Sequence, residues 1–211
     1  MSSSITIIAL GDSTTAGTPG FKSPIEAPPD GAGDVTSQYS YWLMKARLGW
    51  RVLNRGVNGE RSAEIRARFG RDARGADLVV IIAGVNDIYR GYGADVVERE
   101  LEAMYDAARA AQVPIVAGTI IPYNTATADQ NARMHAVNAW IREYAARRRD
   151  VVFCDTRAAV AMPGSPDRLV SSPDDLHPSP DGYRMMALAL EPAIAEAIAR
   201  QTRGGPMGKA G

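Results

Sequence analysis

Five short runs of apolar, β-branched residues recur along the chain, and they constrain its fold more than any other feature. They are Ile5–Leu10 (ITIIAL), Arg51–Asn54 (RVLN), Leu78–Ala83 (LVVIIA), Pro114–Ile120 (PIVAGTI) and Val151–Cys154 (VVFC). Several are continuously apolar rather than alternating, which is the pattern of strands covered on both faces in a parallel sheet. Helical patterns fill the intervals. Val97, Leu101, Met104, Tyr105 and Ala108 form one stripe of a helix of period 3.6. Tyr41–Arg47, Ala63–Phe69 and Asn131–Arg148 read the same way, and a last helix is expected from about Gly182 to Arg200. Pro192 interrupts that last pattern and should kink or break it.

Strand–helix alternation repeated five times predicts an α/β fold: a three-layer α/β/α sandwich with a five-stranded parallel sheet. Right-handed crossovers place helices on both faces. At 211 residues the chain suits the flavodoxin-like order 2-1-3-4-5 better than the longer Rossmann order. The expectation is a single domain over residues 1–201 and a flexible C-terminal tail over 202–211. Two long connections stand out, Thr18–Ser37, rich in Pro and Gly, and Thr156–Pro180. Loops of that length are usually functional or mobile, and 18–37 is the expected lid or specificity element. Pro122–Gln130 reads as a shorter polar loop.

Composition removes several classes of function. Lys+Arg and Asp+Glu both total 24, so the basic excess of a nucleic-acid binder is missing. One cysteine, Cys154, excludes an intrachain disulfide framework. With Cys154, His135 and His177 as the only soft ligands, no structural zinc site is expected, and no other metal or cofactor is called for. No apolar stretch reaches the length of a membrane span. Residues 1–10 lack a charged leader region and a cleavage signature, so a cytoplasmic location is expected. Oligomeric state has no mark in the sequence.

In an open parallel sheet, ligands bind beyond the carboxyl ends of the strands. The first run is followed by Gly11-Asp12-Ser13-Thr14, the second by Asn54-Arg55-Gly56-Val57-Asn58-Gly59-Glu60. The third is followed by Gly84-Val85-Asn86-Asp87, and the fifth, after its long loop, by Asp174-Asp175-Leu176-His177-Pro178. A hydroxyl, backbone donors, a carboxamide, carboxylates and an imidazole thus converge on one sheet edge, the inventory of acyl transfer. Each piece alone has a plainer reading. Ser13 is placed like an ordinary helix N-cap, Gly56 and Gly59 like turn glycines, and Asn86-Asp87 like a cap or Asx turn. His135 reads as a surface histidine in a helix.

Taken together, Gly-Asp-Ser, Asn-(x)4-Gly, Gly-x-Asn-Asp and Asp-x-x-His occur in order, each at the same end of its strand. With these blocks the chain resembles the SGNH/GDSL hydrolase family from about Ile5 to Tyr183. The resemblance implies Ser13 as nucleophile, His177 as general base and Asp174 as the acid that orients it, with Asp175 a weaker alternative. It implies an oxyanion hole built from the Ser13 and Gly59 backbone N–H groups and the Asn86 side-chain amide. Asp12 and Asp87 would brace their loops. Thr14 departs from the Leu of the GDSL name, and Arg61 stands where a small residue is common.

Neither rival nucleophile motif survives: no Gly-x-Ser-x-Gly elbow occurs, and Gly20-Phe21-Lys22-Ser23 lacks the spacing and preceding strand of a phosphate loop. The expected activity is therefore a serine esterase acting on small-molecule esters of short acyl chains through an acyl-enzyme. Ile121, Pro122, Tyr123 and Leu176 are the expected apolar wall. Alternatives within the family are a carbohydrate O-deacetylase, a lysophospholipase or a thioesterase. A different class is a non-catalytic flavodoxin-like binding module.

Overall fold

The structure is a computed structural model that describes residues 4–203. Its centre is a parallel sheet of β1 (Ile5–Gly11), β2 (Trp50–Gly56), β3 (Leu78–Ile82), β4 (Ile115–Gly118) and β5 (Val151–Cys154). Their spatial order is 2-1-3-4-5, as expected. β1 lies between β2 and β3, pairing Gly11 with Gly56 and with Ile82 at its carboxyl end. That register brings the segments following the first three strands side by side, where β1 and β2 send the chain out in neighbouring loops.

Five long helices flank the sheet: α1 (Tyr39–Ala46), α2 (Ser62–Asp72), α3 (Ala94–Ala110), α4 (Ala128–Ala146) and α5 (Pro180–Arg203). Alternate strand residues feed two separate cores. Ile8, Leu10, Val79 and Ile81 pack with residues of α2, α3 and α4, such as Phe69, Leu101 and Val137. Ile7, Ala9, Val80 and Ile82 pack with residues of α1 and α5, such as Leu43, Met186 and Leu190. Burial on both faces explains why the strand runs are continuously apolar. The α3 stripe behaves as its periodicity requires, with Val97, Leu101, Met104, Tyr105 and Ala108 all buried.

Three expectations need correction. α5 passes through Pro192 as one continuous helix instead of breaking there. Pro192 lies on the exposed side, and Leu188, whose carbonyl the missing N–H would have met, is 64% exposed; water can satisfy that carbonyl. α4 begins three residues earlier than expected, at Ala128. A capping box starts it: Gln130 N–H donates to the Thr127 hydroxyl at 3.2 Å, while Thr127 N–H donates to the Gln130 side chain at 2.9 Å. Of the expected tail, Thr202 and Arg203 belong to α5, and 204–211 lie outside the described residues.

The long connections carry structure of their own. Residues 18–37 hold a two-residue antiparallel ladder, Phe21–Lys22 with Ala32–Gly33, and a helical turn at Val35–Ser37. The stretch after β5 holds a helical turn, Thr156–Val160, and a hairpin of Ala161–Met162 with Ser165–Leu169.

Candidate active site

β1 ends in Gly11, and Asp12 caps the helical turn Ser13–Ala16 by accepting the Thr14 N–H at 2.9 Å. That turn fixes Ser13 at the base of a cleft, where its side chain is almost wholly buried. The His177 Nε2 lies 2.9 Å from the Ser13 Oγ, and the His177 Nδ1 lies 2.7 Å from the Asp174 Oδ2. Of the two adjacent acids, Asp174 therefore faces the imidazole. Its other oxygen accepts the backbone N–H groups of Leu176 at 3.0 Å and His177 at 2.8 Å, which folds the Asp-x-x-His segment around the carboxylate. Burial pushes the Asp174 carboxyl up, but the His177 side chain and these two N–H groups outweigh it, and its pKa is held below the ordinary value. An ionised Asp174 keeps the proton on Nδ1, which leaves the Nε2 lone pair to accept from the Ser13 hydroxyl.

The two candidate glycines have different work. Gly56 packs so closely on the Ser13 turn that an added Cβ would stand 2.1 Å from the Ala16 nitrogen. Gly59 sits in the turn after β2 with φ +77, where the left-handed conformation favours glycine. Among the described residues, neither the Ser13 nor the Gly59 backbone N–H has a hydrogen-bond partner. The Asn86 amide donates to the Glu60 carbonyl at 2.9 Å, tying the β2 and β3 turns together. A carboxamide has two N–H donors, so one is left to serve the cleft that Asn86 lines.

Behind this layer two acids are buried. Asp87 accepts from the Ser62 backbone N–H at 2.8 Å and the Ser62 hydroxyl at 3.0 Å. Burial still leaves its pKa raised. Asp12 is 1% exposed, and its Oδ2 has no partner among the described residues. Burial pushes its carboxyl up to about 7, against the lowering effect of the Thr14 N–H and with a further push from the Asp87 charge.

The cleft has a volume of about 180 Å³ and is lined by Ser13, Asn86 and His177 together with Ile121, Tyr123 and Leu176. Pro122 is buried but does not line it. No residue of 18–37 lines it either; that loop packs beside β2, where the Ser23 hydroxyl donates to the Gly56 carbonyl at 2.6 Å. Glu26 in the same loop accepts the Asn58 N–H at 3.0 Å. Thr14, Asn58, Val85 and Tyr89 complete the lining and were not foreseen. Three of them adjoin a motif residue, and Tyr89 follows Asn86 by one helical turn, so proximity to the motifs was the available sign. His135 lies elsewhere, half-exposed, with its Nε2 2.7 Å from the Asp167 carboxylate.

Comparison with known proteins bears on the family and the fold. Residues 9–185 match the model of the GDSL-like lipase/acylhydrolase family. An acetylxylan esterase from Geobacillus stearothermophilus is 29% identical over 157 residues, covering 67% of this chain and 71% of that protein. Among solved structures, a member of the lipolytic G-D-S-L family from Veillonella parvula superposes with a TM-score of 0.73 at 18% identity, over 88% of this chain and 96% of that one. A GDSL-like lipase from Bacteroides thetaiotaomicron gives 0.70 at 21% identity, over 91% and 88% of the respective chains. With the family model spanning most of its length, the chain belongs to the GDSL-like lipase/acylhydrolase family and is an ester hydrolase of that kind.

Proposed function

We propose that the protein is a serine esterase that cleaves short-chain acyl esters through an acyl-enzyme on Ser13. The observation that carries the reading is the unbroken chain of contacts from the Asp174 carboxylate through His177 to the Ser13 hydroxyl, at 2.7 and 2.9 Å. In the first half-reaction His177 Nε2 takes the Ser13 proton as Oγ attacks the ester carbonyl. Charge builds on the carbonyl oxygen, where the Ser13 and Gly59 N–H groups and the Asn86 amide receive it. His177 then protonates the departing alcohol. Water, deprotonated by the same imidazole, attacks the acyl carbon and returns Ser13 as the acid is released. Asp174 holds the imidazole tautomer throughout and stabilises the imidazolium.

The small cleft supports short acyl groups, since sites for drug-sized ligands run to about 300–1,000 Å³ and this one is about 180 Å³. An acetylated carbohydrate is a second reading, favoured by the similarity to an acetylxylan esterase. Rates on p-nitrophenyl acetate, butyrate, octanoate and palmitate, for the native protein and Ser13→Ala, test the proposal. Ser13-dependent turnover should be greatest at acetate or butyrate; a maximum at octanoate or beyond would refute the short-chain reading.

A further inference from the structure

The segment carrying His177 has to be held against the Ser13 turn, yet residues 170–179 form neither helix nor strand. Asp174 organises the inside of that segment. Within it, Asp175 bonds to Asn124, which lies just after the cleft residues Ile121 and Tyr123. The Asn124 backbone N–H donates to the Asp175 carbonyl at 2.7 Å, and the Asn124 Nδ2 donates to the Asp175 Oδ1 at 2.9 Å. The Asn124 Oδ1 accepts the Leu169 N–H at 2.8 Å, anchoring the same side chain to the hairpin that precedes the segment. Asp175 adopts φ +62, a left-handed conformation that residues other than glycine seldom take. In that conformation both its carbonyl and its carboxylate reach Asn124. Backbone held in a rare region persists where its surroundings over-determine it, and here Asn124 supplies both bonds.

Resting on the triad proposed above, we infer that Asn124 is a positioning residue: its side chain clasps Asp175 and so sets the distance from His177 to Ser13. Asn124 does not line the cleft, so it acts through the loop and not on the substrate. The clasp also gives Asp175 a role distinct from that of Asp174. The adjacent acids divide the work, one facing the imidazole and the other facing Asn124.

A donor–acceptor exchange tests the clasp. Asn124→Asp keeps an acceptor for the Leu169 N–H and leaves the backbone bond untouched, but sets one carboxylate against another. With p-nitrophenyl acetate, kcat should fall about tenfold or more while KM stays within about threefold, since small misplacement of a reacting group can cost about 10²-fold. Asp175→Asn alone should stay near the native rate, because its carboxamide oxygen still accepts from Asn124. In the double variant Asn124→Asp/Asp175→Asn, the amide at 175 can donate to the carboxylate at 124, and kcat should return to within about threefold of native. A native kcat in Asn124→Asp, or a double variant no faster than Asn124→Asp alone, would overturn the inference. Should Asn124→Asp fail to fold, Asp175→Gly removes the side-chain half of the clasp and accommodates the left-handed backbone. It should lower kcat severalfold without lowering the melting temperature, and an unchanged kcat would overturn the inference equally. Ser13→Ala is assayed in parallel: activity that survives it refutes the triad itself, whereas Ser13-dependent activity indifferent to position 124 refutes only the clasp.

Discussion

Ser13 and His177 stand 164 positions apart in the chain, yet their Oγ and Nε2 atoms are 2.9 Å apart. Two short elements achieve this. The Asp12-capped turn holds the hydroxyl at the end of β1, and the Asp174-centred segment presents the imidazole from the entrance to α5. The sheet supplies the fixed frame between them, because the loops that leave β1, β2 and β3 all emerge at one edge.

Asp174→Asn should keep the fold and lose about 10⁴ in kcat, because a carboxamide no longer imposes one imidazole tautomer. Steady-state kinetics with p-nitrophenyl acetate measures this; a loss below about tenfold would contradict the orienting role. The held-down pKa of Asp174 also fixes a sign. The carboxylate stabilises the folded state above its unfolded value of 3.8, and that contribution is lost as pH falls through the lower folded value. Asp174 therefore stays ionised through mild acidification.

Asn86→Ala should reduce kcat by about 10²–10³ with little change in KM, the usual cost of one oxyanion donor. The same change strips the Glu60 carbonyl of its 2.9 Å partner, at a cost of about 1–3 kcal/mol if no water replaces it. Kinetics and a denaturant melt on one sample separate the two effects. An unaltered kcat would remove Asn86 from the oxyanion hole.

Asp12 should make folding stability depend on pH. Its carboxyl rises from 3.8 in the unfolded chain to about 7 when buried. Below the lower value both states hold the proton, and no penalty exists. Between the two values only the unfolded chain releases it, so stability falls with rising pH, by an amount on the order of 4 kcal/mol once both are ionised. Asp12→Asn abolishes this dependence while keeping an acceptor for the Thr14 N–H. Its amide nitrogen gains no evident partner, so the variant should be the less stable protein near pH 4 and gain on the native one toward pH 8. Urea melts of both proteins across that range check this; a constant difference would contradict the buried, proton-holding Asp12.

Different parts of this architecture write themselves into sequence to different degrees. The runs around Ile7–Leu10 and Leu78–Ile82 are apolar at every position because two cores need alternate residues of the same strand, so the parallel sheet was legible, and the shortness of the chain pointed to its order. The motif residues were legible for a related reason: a turn that presents Ser13 beside Gly56 tolerates few residue types. Pro192 misled because its effect depends on which side of α5 faces water, a property the tertiary packing decides. Asn124 left no trace, since one asparagine in a polar loop looks like any turn residue until its partner at 175 is known. Pro122 shows the same limit at smaller scale, for the side to which an irregular segment turns each side chain follows from its anchors and not from hydrophobicity.

The most direct test of the central claim is covalent. Treating the native protein with an organofluorophosphate and mapping the adduct by mass spectrometry should find a single modified residue, Ser13, with esterase activity lost in proportion to its occupancy. Modification of another serine accompanying the loss, or full activity with Ser13 occupied, would contradict the assignment of Ser13 as the nucleophile.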